Sequence, residues 1–560
     1  MKRTPSRFLS SVLTAAVALS ACGSSDGSST AATKDRTVSI VDTASPTDST
    51  ADLAVTPTVT ETGAPVLPPG PPLPTGRGWQ WGRTVVHIHS AFSHDACDGE
   101  IDVTGKANPD CLQQFRDALC ASTLDVAFVT DHPAHMSEFP FEKLLNYRQD
   151  LGDKLLGPVG APQANLIQCP ATKEVPAHPL IVTVGFEANH LMPVGLHHHV
   201  SPTEFEGGSL SDAVTLTDVQ AHVAAVKSAG ALVVNAHSEE TDVSAQRLVD
   251  SGIDAMEIYN IHANFLTVIG GQGGKPKLGK VFELEHFLGP KETSPWPDLV
   301  LMIMLDMQPE AAYEKWHTVL AQKHVTALVG NDVHRNVKLE AYCGPGGQYE
   351  GVCKPFADKY PNLVKLLTEG GMPMMADGDR IDSYRRMLRL VSDRVLVSSG
   401  TATEDKVEAY KGALRDGHNW VVFDLLGEPD DFDMVGKAGE TWVEMGGKLH
   451  IGDVLWLRTP RRAYPATWMP WSEADTRNAA DPTEIRTLLW RTTTDGQPAQ
   501  VVQEYKGFAQ VASYKLDKPG RYHLEVRMTP RHLRPWLKAL GQYADAEQRW
   551  VVGNPTEVAP

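Results

Sequence analysis

At 560 residues, with 42% hydrophobic and 21% charged side chains, the chain has the composition of a soluble globular protein too long for one ordinary core. Its 51 basic and 69 acidic residues leave a formal net charge of -18, and no long Lys/Arg run offsets it, which argues against a nucleic-acid-binding role.

The chain begins with Lys2, Arg3 and Arg7, followed by a short apolar run over residues 8–19. That run is too short to span a bilayer and reads as a signal peptide. Leu19-Ser20-Ala21-Cys22 comes next and resembles the lipobox of bacterial lipoproteins. The resemblance implies lipidation at Cys22 and a body held at the bacterial cell envelope, facing the periplasm or the exterior, with the membrane as a partner through that anchor. Residues 23–75, rich in Ser, Thr, Ala, Asp and Pro, cannot bury enough apolar surface to fold and read as a disordered tether. Besides Cys22 there are Cys97, Cys111, Cys120, Cys169, Cys343 and Cys353, an even number compatible with up to three disulfides in an oxidising space. Cys343 and Cys353, close together in a Gly-rich loop, are the best candidates for one of them.

Residues 76–395 alternate short β-branched runs with helical patterns. Strands are predicted over residues 84–88, 124–129, 180–184, 231–234, 253–259 and 325–329, with a helix over 216–229 closed by a glycine. Such alternation predicts an α/β fold with a parallel sheet, most commonly closed as a barrel. Residues 396–560 change texture, with strands predicted at 420–423, 448–456, 486–491 and 521–528 between Gly-rich turns. This part reads as a separate β-sandwich-like domain.

The chemistry lies where the polar residues fall. The first strand ends in Val85-Val86-His87-Ile88-His89-Ser90, and strand alternation sets His87 and His89 on one face. The second ends in Phe128-Val129-Thr130-Asp131-His132. The third gives Val184-Gly185-Phe186-Glu187, followed by His197, His198 and His199. The fourth gives Val234-Asn235-Ala236-His237, and the last Val329-Gly330-Asn331-Asp332-Val333-His334. In a parallel β/α barrel the C-terminal strand ends converge on one mouth. Imidazoles and carboxylates without thiolates suit zinc, manganese or iron. Two or three such cations close together lower the pKa of a shared water and yield hydroxide at neutral pH.

In this order the motifs resemble those of PHP (polymerase and histidinol phosphatase) domains, over roughly residues 80–395. The resemblance implies a distorted, TIM-like PHP-type β/α barrel and a metal-dependent hydrolase with two or three divalent ions. It implies His87, His89 and Asp332 at a first ion, with Glu187 bridging to a second. The second would also take His237 and one of His197, His198 and His199. A third would take His94, His132 and His334. The segments Gly417-His418-Asn419-Trp420, Arg521-Tyr522-His523-Leu524-Glu525-Val526 and Gly553-Asn554-Pro555 resemble the C-terminal region of exported PHP-domain proteins, including the carbaryl hydrolase group. Their apolar residues read as core.

Three further residues are candidates for catalysis. His262 follows a strand and is a candidate substrate contact or proton donor, Asp131 a candidate to orient its neighbouring ligand, and Arg335 a candidate partner for an anionic substrate group. Arg380, Arg385, Arg386, Arg389 and Arg394 read as a solvated or domain-packing face in a helical pattern. The resulting expectation is a metal-dependent phosphoesterase acting on a small-molecule ester. The alternatives are a carbamate or carboxyl-ester hydrolase, and a metal-binding surface lipoprotein without turnover.

Overall fold

The computed structural model describes residues 77–99, 107–200, 209–264, 278–305, 310–339, 341–347, 350, 353–494 and 497–560. Cys22 and the tether expected over residues 23–75 lie outside them.

The first part contains β1 (Trp79–Ile88), β2 (Val126–Val129), β3 (Lys154–Leu156), β4 (Ala164–Cys169), β5 (His178–Val184), β6 (Leu191–Val194), β7 (Leu232–Asn235), β8 (Ala255–Asn260) and β9 (Thr326–Val333). Strands β2 and β6 to β9 are buried at every residue, and the apolar runs of β2, β6 and β7 are those of strands covered on both faces. Neighbours follow in the order β3-β4-β5-β2-β1-β9-β8-β7-β6, with β5, β2, β1, β9, β8 and β7 parallel. The C-terminal ends of six strands therefore lie at one edge.

The expected parallel sheet needs one correction. Strands β4 and β6, absent from the sequence reading, run antiparallel to β5 and β7. The link from β5 to β6 is too short for a parallel crossover, so the chain must reverse as a hairpin. No ladder joins β5 to β6. Across that seam Leu196 N–H donates to Val184 O at 2.7 Å and Phe186 N–H to Pro193 O at 3.1 Å. Gly185 makes the approach possible, because a Cβ there would stand 2.1 Å from Pro193 O.

One apolar cluster draws Val86, Phe128, Ile181, Met192, Val234, Ala255 and Leu328 from β1, β2 and β5 to β9. The helix Lys406–Asp416 adds Val407, Tyr410, Ala413 and Leu414, an apolar stripe at helical spacing. That helix touches the start of β9, where Thr326 Oγ1–H donates to Leu414 O at 2.7 Å. It covers the end opposite the polar strand ends.

β10 (Ser392–Ser398) pairs antiparallel with the first half of β1 and with β11 (Asn419–Val422). A boundary at residues 395 and 396 thus falls within a strand. Beyond β11 come β12 (Glu428–Asp430), β13 (Asp433–Ala438), β14 (Thr441–Glu444), β15 (Lys448–His450), β16 (Val454–Arg458), β17 (Arg462–Tyr464), β18 (Glu484–Thr492), β19 (Gln500–Lys506), β20 (Val511–Lys515), β21 (Gly520–Thr529), β22 (Gln548–Gly553) and β23 (Thr556–Ala559). Strands β14-β13-β16-β20 form one antiparallel sheet. Strands β18, β19, β21, β22 and β23 continue the sheet of β11. The strand expected over 448–456 is two, because the turn at Gly452 (φ 101°) sends β15 and β16 into different sheets.

Asn554 is fully buried and binds both parts of the chain: its Oδ1 accepts from Ala327 N–H at 2.7 Å and its Nδ2–H donates to Asn419 O at 3.0 Å. Trp420 and Tyr522 are core residues, as expected. Of the two readings of the arginine cluster, packing holds for most of it: Arg386, Arg389 and Arg394 are almost wholly buried and paired with Asp298, Glu174 and Asp424, Arg385 stays partly exposed, and only Tyr384–Met387 is helical there. Disulfides join Cys97 to Cys111, Cys120 to Cys169 and Cys343 to Cys353. Among the described residues no helix is long and apolar enough to cross a membrane.

Candidate metal centre

Two of the parallel strands break their register at the polar end. Between Val85 and Ile88, β1 carries an extra residue relative to β2, and β9 carries one relative to β1 between Gly330 and Val333. The irregular residues are His87 (φ 60°) and Asp332 (φ 50°), and His237 just past β7 is also left-handed (φ 53°). Left-handed backbone is unfavourable for such side chains and is retained where the surroundings over-determine it. Here bulges turn three polar side chains toward one point.

His87, His89, Glu187 and Asp332 offer ligand atoms that lie within 4.8 Å of one another, and all four are buried. Nε2 of His87 is 3.1 Å from both Glu187 Oε2 and Asp332 Oδ1, and Nε2 of His89 is 3.4 and 3.3 Å from the same oxygens. None of these contacts has hydrogen-bond geometry: His87 Nε2, His89 Nε2 and Asp332 Oδ1 are buried without a partner. The other carboxylate oxygen of Glu187 lies 3.0 Å from His237 Nε2. Glu187 therefore faces His87 with one oxygen and His237 with the other.

A second group comprises His89, Asp95, His132 and His334. Asp95 Oδ2 is 3.4 Å from His132 Nε2 and 3.3 Å from His334 Nε2, whose ring stacks on His89 at 3.8 Å. His237 with Glu239 and Glu240, and His190 with Glu240 and Asp242, make two further groups beside the first. The His190 ring is 6.3 Å from that of His237, and its Nδ1 is buried without a partner.

Every ring in the two main groups is held from behind. His87 Nδ1–H donates to Glu257 Oε1 at 2.7 Å, His132 Nδ1–H to Glu187 O at 3.0 Å and His334 Nδ1–H to Asp332 O at 3.0 Å. His237 Nδ1–H reaches Glu239 Oε1 at 3.2 Å. Ser93 Oγ–H donates to Asp95 and so accepts from His89 Nδ1–H at 3.3 Å. With Nδ1 the donor in each case, Nε2 is the atom directed at the carboxylates, as in metal-ligating histidines.

The electrostatics agree. Burial pulls the His87 imidazole down, but Asp332, Glu257 and Glu187 outweigh it and hold it well above the ordinary range. Burial likewise opposes His237, which Glu187 holds well above. Burial pushes Glu187 and Asp332 up, but His87 and its neighbours keep both well below the usual carboxylate range. Two ionised carboxylates in a dry site call for compensating positive charge, which protonated His87 and His237 or bound cations can supply. Nitrogen and oxygen donors, orphaned buried ligand atoms and this charge balance together fit divalent cations.

The structure brings His87, His89, His132, Glu187, His237, Asp332 and His334 together as expected, and places His262 at their side, its ring 5.1 Å from His334. Four other expectations differ from what the structure places. His94 is exposed, and its neighbour Asp95 takes the place in the group. His197, His198 and His199 belong to neither group: His197 pairs with Glu408 at 2.8 Å, His198 with His199 O, and His199 with Phe139 O. Leu196 closes the hairpin against Val184, which carries the run past the mouth. Arg335 lies 3.7 Å from Asp98 and beside Cys111, a site fixed by the Cys97–Cys111 disulfide. Asp131 binds Ser90 N–H at 2.5 Å and Ser90 Oγ–H at 2.7 Å rather than the His132 ring; burial pushes its carboxyl up to about 6. It anchors the end of β1 next to His89.

Sequence reasoning missed Asp95, His190 and Ser93, which lie in loops where no periodicity gives direction. It also missed Glu257, whose signal was a charge inside a strand buried throughout.

No family model matches the chain, and no curated protein matches it. Among solved structures it is similar to a two-domain protein from Bacteroides vulgatus containing a predicted PHP-like metal-dependent phosphoesterase. The identity is 12%, the match covers 80% of this chain and 91% of that chain, and the TM-score is 0.28.

Proposed function

We propose that this chain is a multinuclear metal-dependent hydrolase of the PHP type, acting on a phosphoester. The carrying observation is the set of buried Nε2 and carboxylate atoms that converge without hydrogen bonds at the ends of parallel strands. The six parallel strands, the hydrogen-bonded β5–β6 seam and the enclosed apolar cluster support reading the first part as a distorted β/α barrel.

In this reading His87, His89 and Asp332 would hold a first ion, and Glu187 would serve both it and a second, for which His237 and His190 are the candidates. His190 would fill the role that the sequence left open among His197, His198 and His199. Asp95, His132 and His334 would hold a third. Zinc, manganese or iron there would supply an acidified water and charge stabilisation for the substrate oxygens. The chain's own residues do the rest. The second-row acceptors fix each imidazole, and the close-packed strand ends exclude bulk water. Burial draws the His262 imidazole down to about 4, so it is neutral near pH 7. Neutral His262 would accept the proton that the attacking water loses and pass it to the leaving-group oxygen as the ester bond breaks.

One observation favours a second reading, hydrolysis of a carbamate or carboxyl ester. Arg335, which directly follows His334, is engaged by Asp98, and a neutral ester needs no free guanidinium. Action at the cell envelope is supported by the N-terminal pattern ending at Cys22 and by six cysteines joined in pairs.

Elemental analysis of the purified chain, with turnover of a chromogenic phosphomonoester, phosphodiester and carbamate panel, tests these readings. Two or three equivalents of metal with phosphoester turnover are expected. Carbamate turnover alone selects the second reading, and metal-loaded protein inert to every substrate selects a binding role.

A further inference from the structure

Glu257 is the fully buried carboxylate of β8, and its two oxygens face different parts of the centre. Oε1 accepts from His87 Nδ1–H at 2.7 Å. Oε2 accepts from the backbone N–H of His237 at 3.0 Å, at the residue whose left-handed conformation turns its ring inward. Oε2 also accepts from Asn260 Nδ2–H at 3.3 Å, and the same amide nitrogen donates to Asp332 Oδ2 at 3.2 Å. One side chain thus reaches a ligand of the first ion, a ligand of the second and, through Asn260, a third ligand.

Space for this carboxylate is built into the neighbouring strand. Gly330 of β9 pairs with Asn260, and a Cβ on Gly330 would stand 2.0 Å from Glu257 Oε1. An alanine would therefore push the carboxylate off His87 without changing the charge of the site.

We infer that Glu257 is a positioning residue that couples the first and second ions, fixing the His87 tautomer with one oxygen and the His237 backbone with the other. This rests on the metal reading above. A glutamine is close in shape but cannot serve both contacts: an amide accepts through one atom and donates through the other, so either orientation sets a donor against a donor. Among the described residues Glu257 makes no hydrogen bond to Asp95, His132 or His334, so the third site should be the least affected by its loss.

The test is calorimetric titration of the metal-stripped full chain with Mn2+, for wild type, Glu257→Gln and Gly330→Ala, with melting of each metal-free protein alongside. Both variants should lose about 10- to 100-fold in affinity at two sites together while the third is retained. Nitrogen-15 shifts of the His87 ring should report a changed tautomer ratio. Wild-type affinities within twofold in both folded variants would overturn the coupling, as would loss confined to one site or a lowered melting temperature with unchanged affinity. A wild type that binds no Mn2+, Zn2+ or Fe2+ would instead overturn the metal reading itself.

Discussion

The carboxylate of Glu187 faces the ring of His87, with Oε2 3.1 Å from Nε2 and no hydrogen bond between them, while its other oxygen reaches His237. Both oxygens are committed to different ions in the proposed centre. Glu187→Gln should therefore lower turnover by more than about 100-fold and reduce metal content at two sites at once. Elemental analysis and steady-state kinetics on the same preparation check this, and unchanged values for both would remove Glu187 from the bridging role.

Asp95 and His94 are neighbours with opposite outcomes. Asp95 is held well below the usual carboxylate range because His334 and His132 outweigh the effect of burial. Asp95→Ala should release one equivalent of metal, whereas His94→Ala should keep the full complement. The reverse result would restore His94 as the ligand.

His190 and the run His197 to His199 separate in the same way. His190→Ala is expected to weaken one ion by about 10- to 100-fold. Alanine at His197, His198 or His199 should leave metal affinity unchanged. His197→Ala should instead cost a little stability, about 0.5 kcal/mol, because one partly exposed contact to Glu408 is lost while Lys411 still pairs with that carboxylate. Titration with Mn2+ and denaturant melts distinguish the two effects.

Stability should fall in acid for a reason remote from the metal centre. Burial draws His532 from 6.5 down to about 3 and His317 to about 3. Folded-state values below the unfolded one mean that the unfolded chain takes up the protons first. The stabilisation is complete above about pH 6.5 and is lost as pH falls toward about 3, at about 1.4 kcal/mol per pH unit for each group. His532→Asn keeps an acceptor for Thr483 Oγ1–H, now 2.8 Å from Nδ1, and should flatten the acid limb of a urea-melt series. A limb of unchanged slope would mean that His532 is not one of the groups involved.

Much of the site was legible because strand ends are legible. A β-branched run followed by His, Asp or Glu marks both the strand and its polar terminus, and period-two alternation directs His87 and His89 to one side. Even so, their convergence depends on a left-handed bulge at His87 that alternation does not contain. The hairpin to β6 was hidden because Leu191–Val194 is too short to show a period. The β15–β16 break was hidden because only Ile451, Gly452 and Asp453 separate two short segments.

The sequence alone determined the kinds of ligand and the strands that carry them, since burial and alternation act locally and leave a residue-by-residue pattern. Tertiary structure decided which residues stand beside each group: Asp95 rather than His94 with His89, His132 and His334, His190 rather than His197 to His199 near His237, and Glu257 of β8 behind His87. In loops and at bulges a side chain's direction depends on non-repeating dihedrals and on what packs against it, so contacts between distant segments choose among neighbours that the sequence leaves equivalent.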